Sequence, residues 1–574
     1  MSSILNSLSL KNYKAFSEAD IEIKPLTILL GANSSGKSSI LQLLLAIEQT
    51  INNKDTYSSA LKLNGHYVNL GEDINVIKDK KRSNILSIEF GLDEEYLLSY
   101  FEKSFLMEFS RYFAIIQLFD RENNLNQNSP VLVSNNNNGN NNSHYIHEYI
   151  NYIESQKKGP INMMYSYYNH QFRHSEYLDD FLTSNKPWKF AIDNKIIDSY
   201  GGDESELISN INTICSYYLK IISLLKNSKT DLCYELQIPQ KSKRMSIRRC
   251  YIRINGTGEI GYHIPKSNMY SLFSTIKGID ISNVKTNRTS FSGLELEYKD
   301  EKNIYETFVI PLINSAYESL EDIFESDNIS YVGPLRAYPQ RYYFLDESNS
   351  SYNIDAQNGQ RLAEILKRDK VLCDKINNWL KDFEIKFSVK EFRDIIHNIK
   401  VTQNGLKLDI TDVGFGYSQI LPILVQGFMS ENKSINIIEQ PEIHLHPKMQ
   451  ASLADLFIDI ITSSTEKNNK SSILSKQKTF IIETHSEYIL KRLRRRIAEG
   501  KISSKDVAIY FIESRNNTNK DSAILKRVNV SQMGDIDWPK DFYITAYDDD
   551  MEFLRKKIEA AKNMEEKTEK EGNE

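Results

Sequence analysis

Residues Gly31-Ala32-Asn33-Ser34-Ser35-Gly36-Lys37-Ser38 satisfy GxxxxGK[ST] at every fixed position. They lie between an apolar run, Leu26 to Leu30, and a stretch with helical apolar spacing, Ile40, Leu41, Leu44, Leu45 and Ile47. Strand, glycine-rich loop and helix form the opening unit of an α/β nucleotide-binding core. The two glycines let successive backbone N–H groups converge on phosphate oxygens. Lys37 adds a point charge, Ser38 a hydroxyl ligand for Mg2+, and the helix its positive N-terminal end. Asn33, Ser34, Ser35 and Ser39 complete the expected phosphate cradle. A chain built on this unit is expected to form a parallel sheet and to take ATP and Mg2+ as cofactors.

A phosphate loop also needs an acid at the end of a neighbouring strand to orient the metal. The apolar strand Ile435 to Glu439 provides one, making Glu439 with Ser38 the expected metal pair. Gln440-Pro441-Glu442-Ile443-His444-Leu445-His446-Pro447 follows it. A second buried strand ends in Glu483-Thr484-His485-Ser486, so a polar histidine leaves an apolar run. Asp412-Val413-Gly414-Phe415-Gly416-Tyr417-Ser418-Gln419 is a glycine loop that opens an apolar helix, which makes it a second anion-binding surface.

Composition narrows the remainder. The 574 residues carry 71 basic and 77 acidic side chains, which rules out a polycation. Four cysteines without CxxC spacing exclude a disulfide scaffold or zinc ribbon. The first residues alternate like a strand rather than a signal peptide, and no apolar run nears the ~18 residues of a membrane span. A cytoplasmic location without membrane attachment is therefore expected. After Leu92 tyrosine and asparagine become dense, and Ser134 to Ser143 reads SNNNNGNNNS, a solvated loop by composition. From Glu325 the sequence is core-like again. The expected division is a head fragment 1–92, an accessory insertion 93–324, a second head fragment 325–545 and a charged tail 546–574. The fold class is thus α/β: a P-loop head, its parallel sheet flanked by helices, split by a long mixed α/β insertion.

The order phosphate loop, GFGYSQ, IEQPEIHLHP and ETHSE resembles the ABC-type ATPases of the SMC/RecF/OLD group. More narrowly it resembles the stand-alone OLD-like bacterial ATPases, a set that includes the Septu defence ATPases. Tyr331-Val332-Gly333-Pro334-Leu335-Arg336 and Asp537-Trp538-Pro539 are similar to the same set. The resemblance spans 1–92 and 325–545. It implies an ABC-type head that forms a homodimer or higher oligomer around sandwiched ATP. It assigns Gly31, Gly36, Lys37 and Ser38 to phosphate and Mg2+, and Glu439 to the Walker B acid. Gly414, Gly416, Ser418 and Gln419 would be the signature loop, touching the γ-phosphate on the other subunit, and His485 the switch histidine. Tyr13, Lys14 or Phe16 would lie where such heads contact adenine, and the loop at Asn69 would approach the γ-phosphate.

One departure bears on catalysis. Most ABC ATPases carry a glutamate after the Walker B acid to polarise the attacking water; this chain has Gln440. An amide can hold a water but cannot take its proton, and losing a general base costs about 10²–10⁴ in rate. A slow ATPase is expected, with Glu439, Gln440 and His485 as its catalytic residues and Glu442 or His485 as partial substitutes for the base. The chain after His485 is too short for the Toprim nuclease of OLD enzymes. Tyr547 to Asp550 reads as a solvated acidic turn, Glu295-Leu296-Glu297 as a plain strand, and His444 with His446 as a structural loop. The resemblance therefore implies a separately encoded nuclease partner, HNH-type foremost, in bacterial anti-phage defence. Two basic stretches, Lys241 to Arg253 and Lys491 to Arg496, are candidate surfaces for DNA or RNA phosphates. The alternative is an SMC/RecF-like clamp or repair ATPase on duplex DNA.

Overall fold

The computed structural model describes residues 5–52, 59–102, 104–105, 204–264, 269–281, 284, 286, 290–297, 305–325, 328–344, 360–391, 396–463, 478–514, 522–538 and 551–559. The asparagine tract at 134–143 and the acidic run at 547–550 lie outside them. The chain opens with an antiparallel pair, β1 (Leu5–Tyr13) and β2 (Phe16–Glu22), then enters β3 (Leu26–Gly31) and α1 (Lys37–Ile51). After β4 (Leu86–Leu92) come α2 (Glu204–Leu225), β5 (Thr230–Gln237), β6 (Ser246–Ile254), β7 (Gly258–His263) and β8 (Ser271–Ser274). A short hairpin, β9 (Ser290–Ser292) with β10 (Glu295–Glu297), precedes α3 (Glu306–Phe324).

The second half holds β11 (Ile329–Val332), β12 (Tyr343–Phe344), α4 (Gln360–Arg368), α5 (Lys370–Leu380), β13 (Ile385–Glu391), β14 (Ile396–Gln403) and β15 (Leu406–Asp409). Then follow α6 (Phe415–Met429), β16 (Ile435–Glu439), α7 (Pro447–Ser463), β17 (Thr479–Glu483), α8 (Glu487–Ala498), β18 (Val507–Glu513) and β19 (Ile524–Val528).

The central sheet runs β11-β16-β17-β3-β18-β19, parallel except for the edge strand β19. Both faces are covered, so its strands read as unbroken apolar runs rather than alternating ones. Alternation survives in the packing. Leu26, Ile28 and Leu30 of β3 face a core built with α6, α7 and α8, while Leu29 faces the opposite core with α1. Ile437 and Ile481 turn toward α1, and Ile438, Phe480 and Ile482 turn away from it.

The first core is closed by a seven-stranded antiparallel sheet, β2-β1-β4-β5-β6-β7-β8. Leu8, Leu10, Ile88, Phe90, Leu232, Ile252 and Ile260 line its inner face against α1 and α3. Strands β5 to β8 of the expected insertion thus continue the sheet of the first head fragment through one pairing: β4 pairs β1 on one side and β5 on the other. A small sheet of β12, β13, β14 and β15 packs with α4 and α5 beside the second core. In the tail a helix over 551–559 is exposed throughout.

Candidate functional site

The carboxyl ends of β3, β16 and β17 meet on one edge of the central sheet, where parallel α/β folds bind ligands. β3 runs directly into the phosphate loop, and two of its glycines are dictated by space. Gly31 has φ +146°, and a Cβ there would lie 2.5 Å from the Ile512 carbonyl oxygen of β18. Gly36 has φ +116°, with Phe16 Cζ 2.8 Å from where its Cβ would be. Asn33 and Ser34 are exposed at the loop crest, and Ser38 and Ser39 are half-buried in the first turn of α1. Ser35 is buried and its hydroxyl has no hydrogen-bond partner, an orphaned donor at the point where a phosphate oxygen would supply one.

Lys37 is only 3% exposed. Its Nζ donates to the carbonyls of Gly31 and Ala32, at 3.0 and 2.8 Å, and stands 3.7 Å from Glu483 Oε1. Burial lowers the lysine pKa, and the Glu483 charge opposes that. Ser38 Oγ donates to Glu483 Oε2 at 2.7 Å. The acid that accepts the Ser38 hydroxyl and forms the ion pair with Lys37 is therefore Glu483, a residue that the sequence reading passed over in favour of His485. Glu439 stands one strand further out, in register with Glu483 across β16 and β17, and accepts from the Tyr331 hydroxyl at 3.0 Å. Burial and the neighbouring Glu483 push the Glu439 carboxyl up to about 7. A signal was present: Ile437-Ile438-Glu439 and Ile481-Ile482-Glu483 are the same apolar-apolar-acid strand ending. Two carboxylates and a hydroxyl are hard oxygen donors of the kind Mg2+ takes. Ser38, Glu439 and Glu483 fit that ion, which supplies charge neutralisation for a triphosphate when bound.

Gln440 follows Glu439 with φ +45°, unusual for a residue with a side chain and more so before Pro441. Its N–H donates to the Glu483 carbonyl at 2.7 Å, tying the two strand ends together. Glu442 is spent on a second tie: Oε2 accepts from Thr484 Oγ1 at 2.7 Å and Oε1 from the His485 N–H at 2.6 Å. Burial nonetheless raises its pKa. His485 keeps an exposed surface beside this clamp; partial desolvation and then the Lys37 charge hold its pKa below the ordinary value. Behind the strand ends, Arg336 Nη2 donates to the carbonyls of Glu439 and Gln440.

The GFGYSQ loop sits apart from the phosphate loop and packs on the loop after β16. Phe415 lies 5.0 Å from the His444 ring and 5.1 Å from Tyr338, and a Cβ on Gly416 would lie 2.5 Å from the His444 carbonyl oxygen. Gly414 is exposed. Ser418 and Gln419 are buried in the first turns of α6, where Ser418 Oγ donates to the Phe415 carbonyl at 2.7 Å and Gln419 Nε2 has no partner.

A family model described as AAA ATPase domain matches residues 4–490, most of the chain. The chain belongs to the AAA ATPase domain family. This AAA ATPase domain matches no curated protein. Solved structures similar to it include an SMC head bound to the C-winged helix domain of ScpA, at 8% identity over 92% of this chain and 98% of that one, TM-score 0.33. Another is the SMC head domain from Thermotoga maritima, at 8% identity over 92% and 100%, TM-score 0.32. Likeness at these TM-scores carries no argument about the site. Among the described residues of the AAA ATPase domain, no helix is long and apolar enough to cross a membrane.

Several expected contacts of the AAA ATPase domain are occupied internally. Tyr13 is fully buried and its hydroxyl donates to the Ser39 carbonyl at 2.9 Å; Phe16 is buried beneath Gly36. Both rings support α1 and the phosphate loop, so neither is open to adenine, while Lys14 Nζ donates to Gln42 Oε1 at 2.8 Å. Near Asn69, Tyr67 places its ring edge-on to Tyr331 at 6.2 Å. Part of each basic stretch is paired with acids in place. Arg249 pairs with Glu235 and Glu259, and Arg253 with Glu89 and Glu259. Arg492 and Arg496 share Asp455, Arg495 pairs with Glu499 and Lys491 with Glu487. Sequence shows the positive charges in a run, but Glu89, Glu235, Glu259 and Asp455 come from other strands and helices, while Glu487 and Glu499 pair within the turn-to-turn spacing of α8.

Proposed function

We propose that this AAA ATPase binds ATP with Mg2+ firmly, hydrolyses it slowly, and serves as a nucleotide-sensing subunit. Its nucleotide state would regulate a separately encoded nuclease, HNH-type foremost, in bacterial anti-phage defence. The observation that carries slow turnover is Gln440, whose backbone is fixed at the end of the Glu439 strand and which carries an amide where a carboxylate base is expected. Lys37 would exchange its carbonyl partners for phosphate oxygens, and the Ser35 hydroxyl would gain its missing acceptor. Ser38, Glu439 and Glu483 would hold the metal side. The Gln440 amide would orient a water without taking its proton. Glu442 is a weak candidate for the absent base because both its oxygens already accept hydrogen bonds. His485, with a lowered pKa and an exposed surface, is the better acceptor.

The reading includes an ABC-type head dimer, which rests on the motif resemblance. The GFGYSQ loop packs on the loop after β16 through Phe415 and Gly416, and in a head dimer it would touch the phosphate bound by the second head. The nuclease partner and the defence role rest on the OLD-like resemblance alone. The duplex-DNA clamp is the weaker second reading, because Arg249, Arg253, Arg492, Arg495 and Arg496 already pair with acids. Turnover by purified wild type against Gln440→Glu and Lys37→Ala tests the ATPase core of the proposal. A nuclease retained on tagged full-length protein expressed with its neighbouring genes separates the defence subunit from a clamp, which would retain duplex DNA without a partner.

A further inference from the structure

Tyr331 to Arg336, which carries the chain from β11 into the loop behind the strand ends, is similar to the OLD-like set. Arg336 is 5% exposed. Its Nη2 donates to the carbonyl oxygens of Glu439 and Gln440, each at 3.0 Å, while Nε and Nη1 are buried without a hydrogen-bond partner. A neutral donor could cap two carbonyls, and burying a guanidinium to do so is costly unless the charge has a use. Its charge acts on Glu442, the residue that ties Thr484 and His485 to the β16 loop. One cation thus stands behind both strand ends of the site.

Gln440 is held from both sides. Glu483 accepts its N–H, and Arg336 donates to its carbonyl oxygen, so its left-handed backbone and the direction of its side chain are set together. Two neighbouring tyrosines touch the site and the GFGYSQ loop. Tyr331 holds the Glu439 carboxylate, and Tyr338 packs on Phe415 of the GFGYSQ loop.

We propose that Arg336 is a positioning residue for ATP hydrolysis, fixing through the Glu439 and Gln440 carbonyls the turn that aims the Gln440 amide. This rests on the ATPase reading above. The test uses full-length wild type, Lys37→Ala, Arg336→Ala, Arg336→Lys, Gln440→Ala and the Arg336→Ala/Gln440→Ala double variant. Melting temperature, affinity for a fluorescent ATP analogue, and kcat and KM are measured for each. Arg336→Ala should lower kcat by about 10- to 100-fold, the range for lost supporting contacts, with KM and analogue affinity within about threefold. Arg336→Lys, whose ammonium can still donate to both carbonyls, should recover most of kcat. The double variant should be no slower than the slower single variant.

Wild-type kcat in Arg336→Ala, or losses that multiply in the double variant, would overturn the proposal. If Arg336→Ala does not fold, Arg336→Gln replaces it: a slowed kcat at an unchanged melting temperature supports positioning, and wild-type kcat refutes it. Wild-type turnover no higher than Lys37→Ala would instead remove the ATPase reading, and this proposal with it. Turnover well above Lys37→Ala alongside an unaffected Arg336→Ala removes the proposal alone.

Discussion

Ser38 and Glu483 are 445 residues apart in the chain, yet the serine hydroxyl donates to the glutamate carboxylate at 2.7 Å. Strand order makes this possible: β17 is inserted between β3, which carries the phosphate loop, and β16, which carries Glu439. The expected metal acid therefore stands one strand away, and a second acid faces the hydroxyl directly.

Both acids should matter, and unequally. Glu483→Gln leaves Lys37 without its counter-charge and Ser38 without its carboxylate acceptor. Affinity for the Mn2+–ATP complex should fall about 10- to 100-fold, against a smaller loss for Glu439→Gln. Titration calorimetry with Mn2+ and a non-hydrolysable analogue measures both. Equal affinity of wild type and Glu483→Gln would remove Glu483 from the metal side.

The two glycines of the GFGYSQ loop should respond differently. A Cβ at Gly416 would lie 2.5 Å from the His444 carbonyl, whereas at Gly414 the nearest atom, Tyr417 Cε2, is 3.8 Å away. Gly416→Ala must push the loop off the β16 turn, at a cost of about 1–3 kcal/mol in stability. Gly414→Ala should stay within about 0.5 kcal/mol of wild type. Urea unfolding of both variants decides it, and equal stabilities would contradict the packing described.

Glu48 gives a pH signature outside the site. It is fully buried in α1, its Oε2 has no partner, and burial pushes its pKa up to about 7 while Asn52 pulls the other way. Between the unfolded carboxyl value of about 4.3 and pH ~7, the folded chain keeps a proton that the unfolded chain has released. Its stability contribution is thus complete below that window, falls as pH rises through it, and is flat above. At about 1.4 kcal/mol per unit the loss is at most ~4 kcal/mol. Unfolding at pH 5 and pH 8 should show that loss in wild type and not in Glu48→Gln; identical pH slopes would refute it.

How far the sequence reached depends on whether the determining contacts are local. β3, the phosphate loop and α1 are contiguous, so their residues carry both the geometry and its purpose. β16 and β17 were legible as buried strands ending in acids. Which of Glu439 and Glu483 meets Ser38 was not, because strand order is set by long-range pairing. The same reason hid the continuity of β4 with β5, which joins residues on either side of the expected boundary at Leu92. Arg253 and Arg496 read as members of basic runs, since Glu89 and Asp455 lie far away in the chain. Tyr13 and Phe16 alternate like half-exposed strand residues; α1 covers them.

The central claim is a nucleotide site complete for binding and short of one base. Steady-state ATP turnover of wild type, Gln440→Glu and Lys37→Ala tests it most directly. Wild type should turn over slowly, Gln440→Glu about tenfold or more faster, and Lys37→Ala should lose activity. Equal turnover by wild type and Gln440→Glu would contradict it.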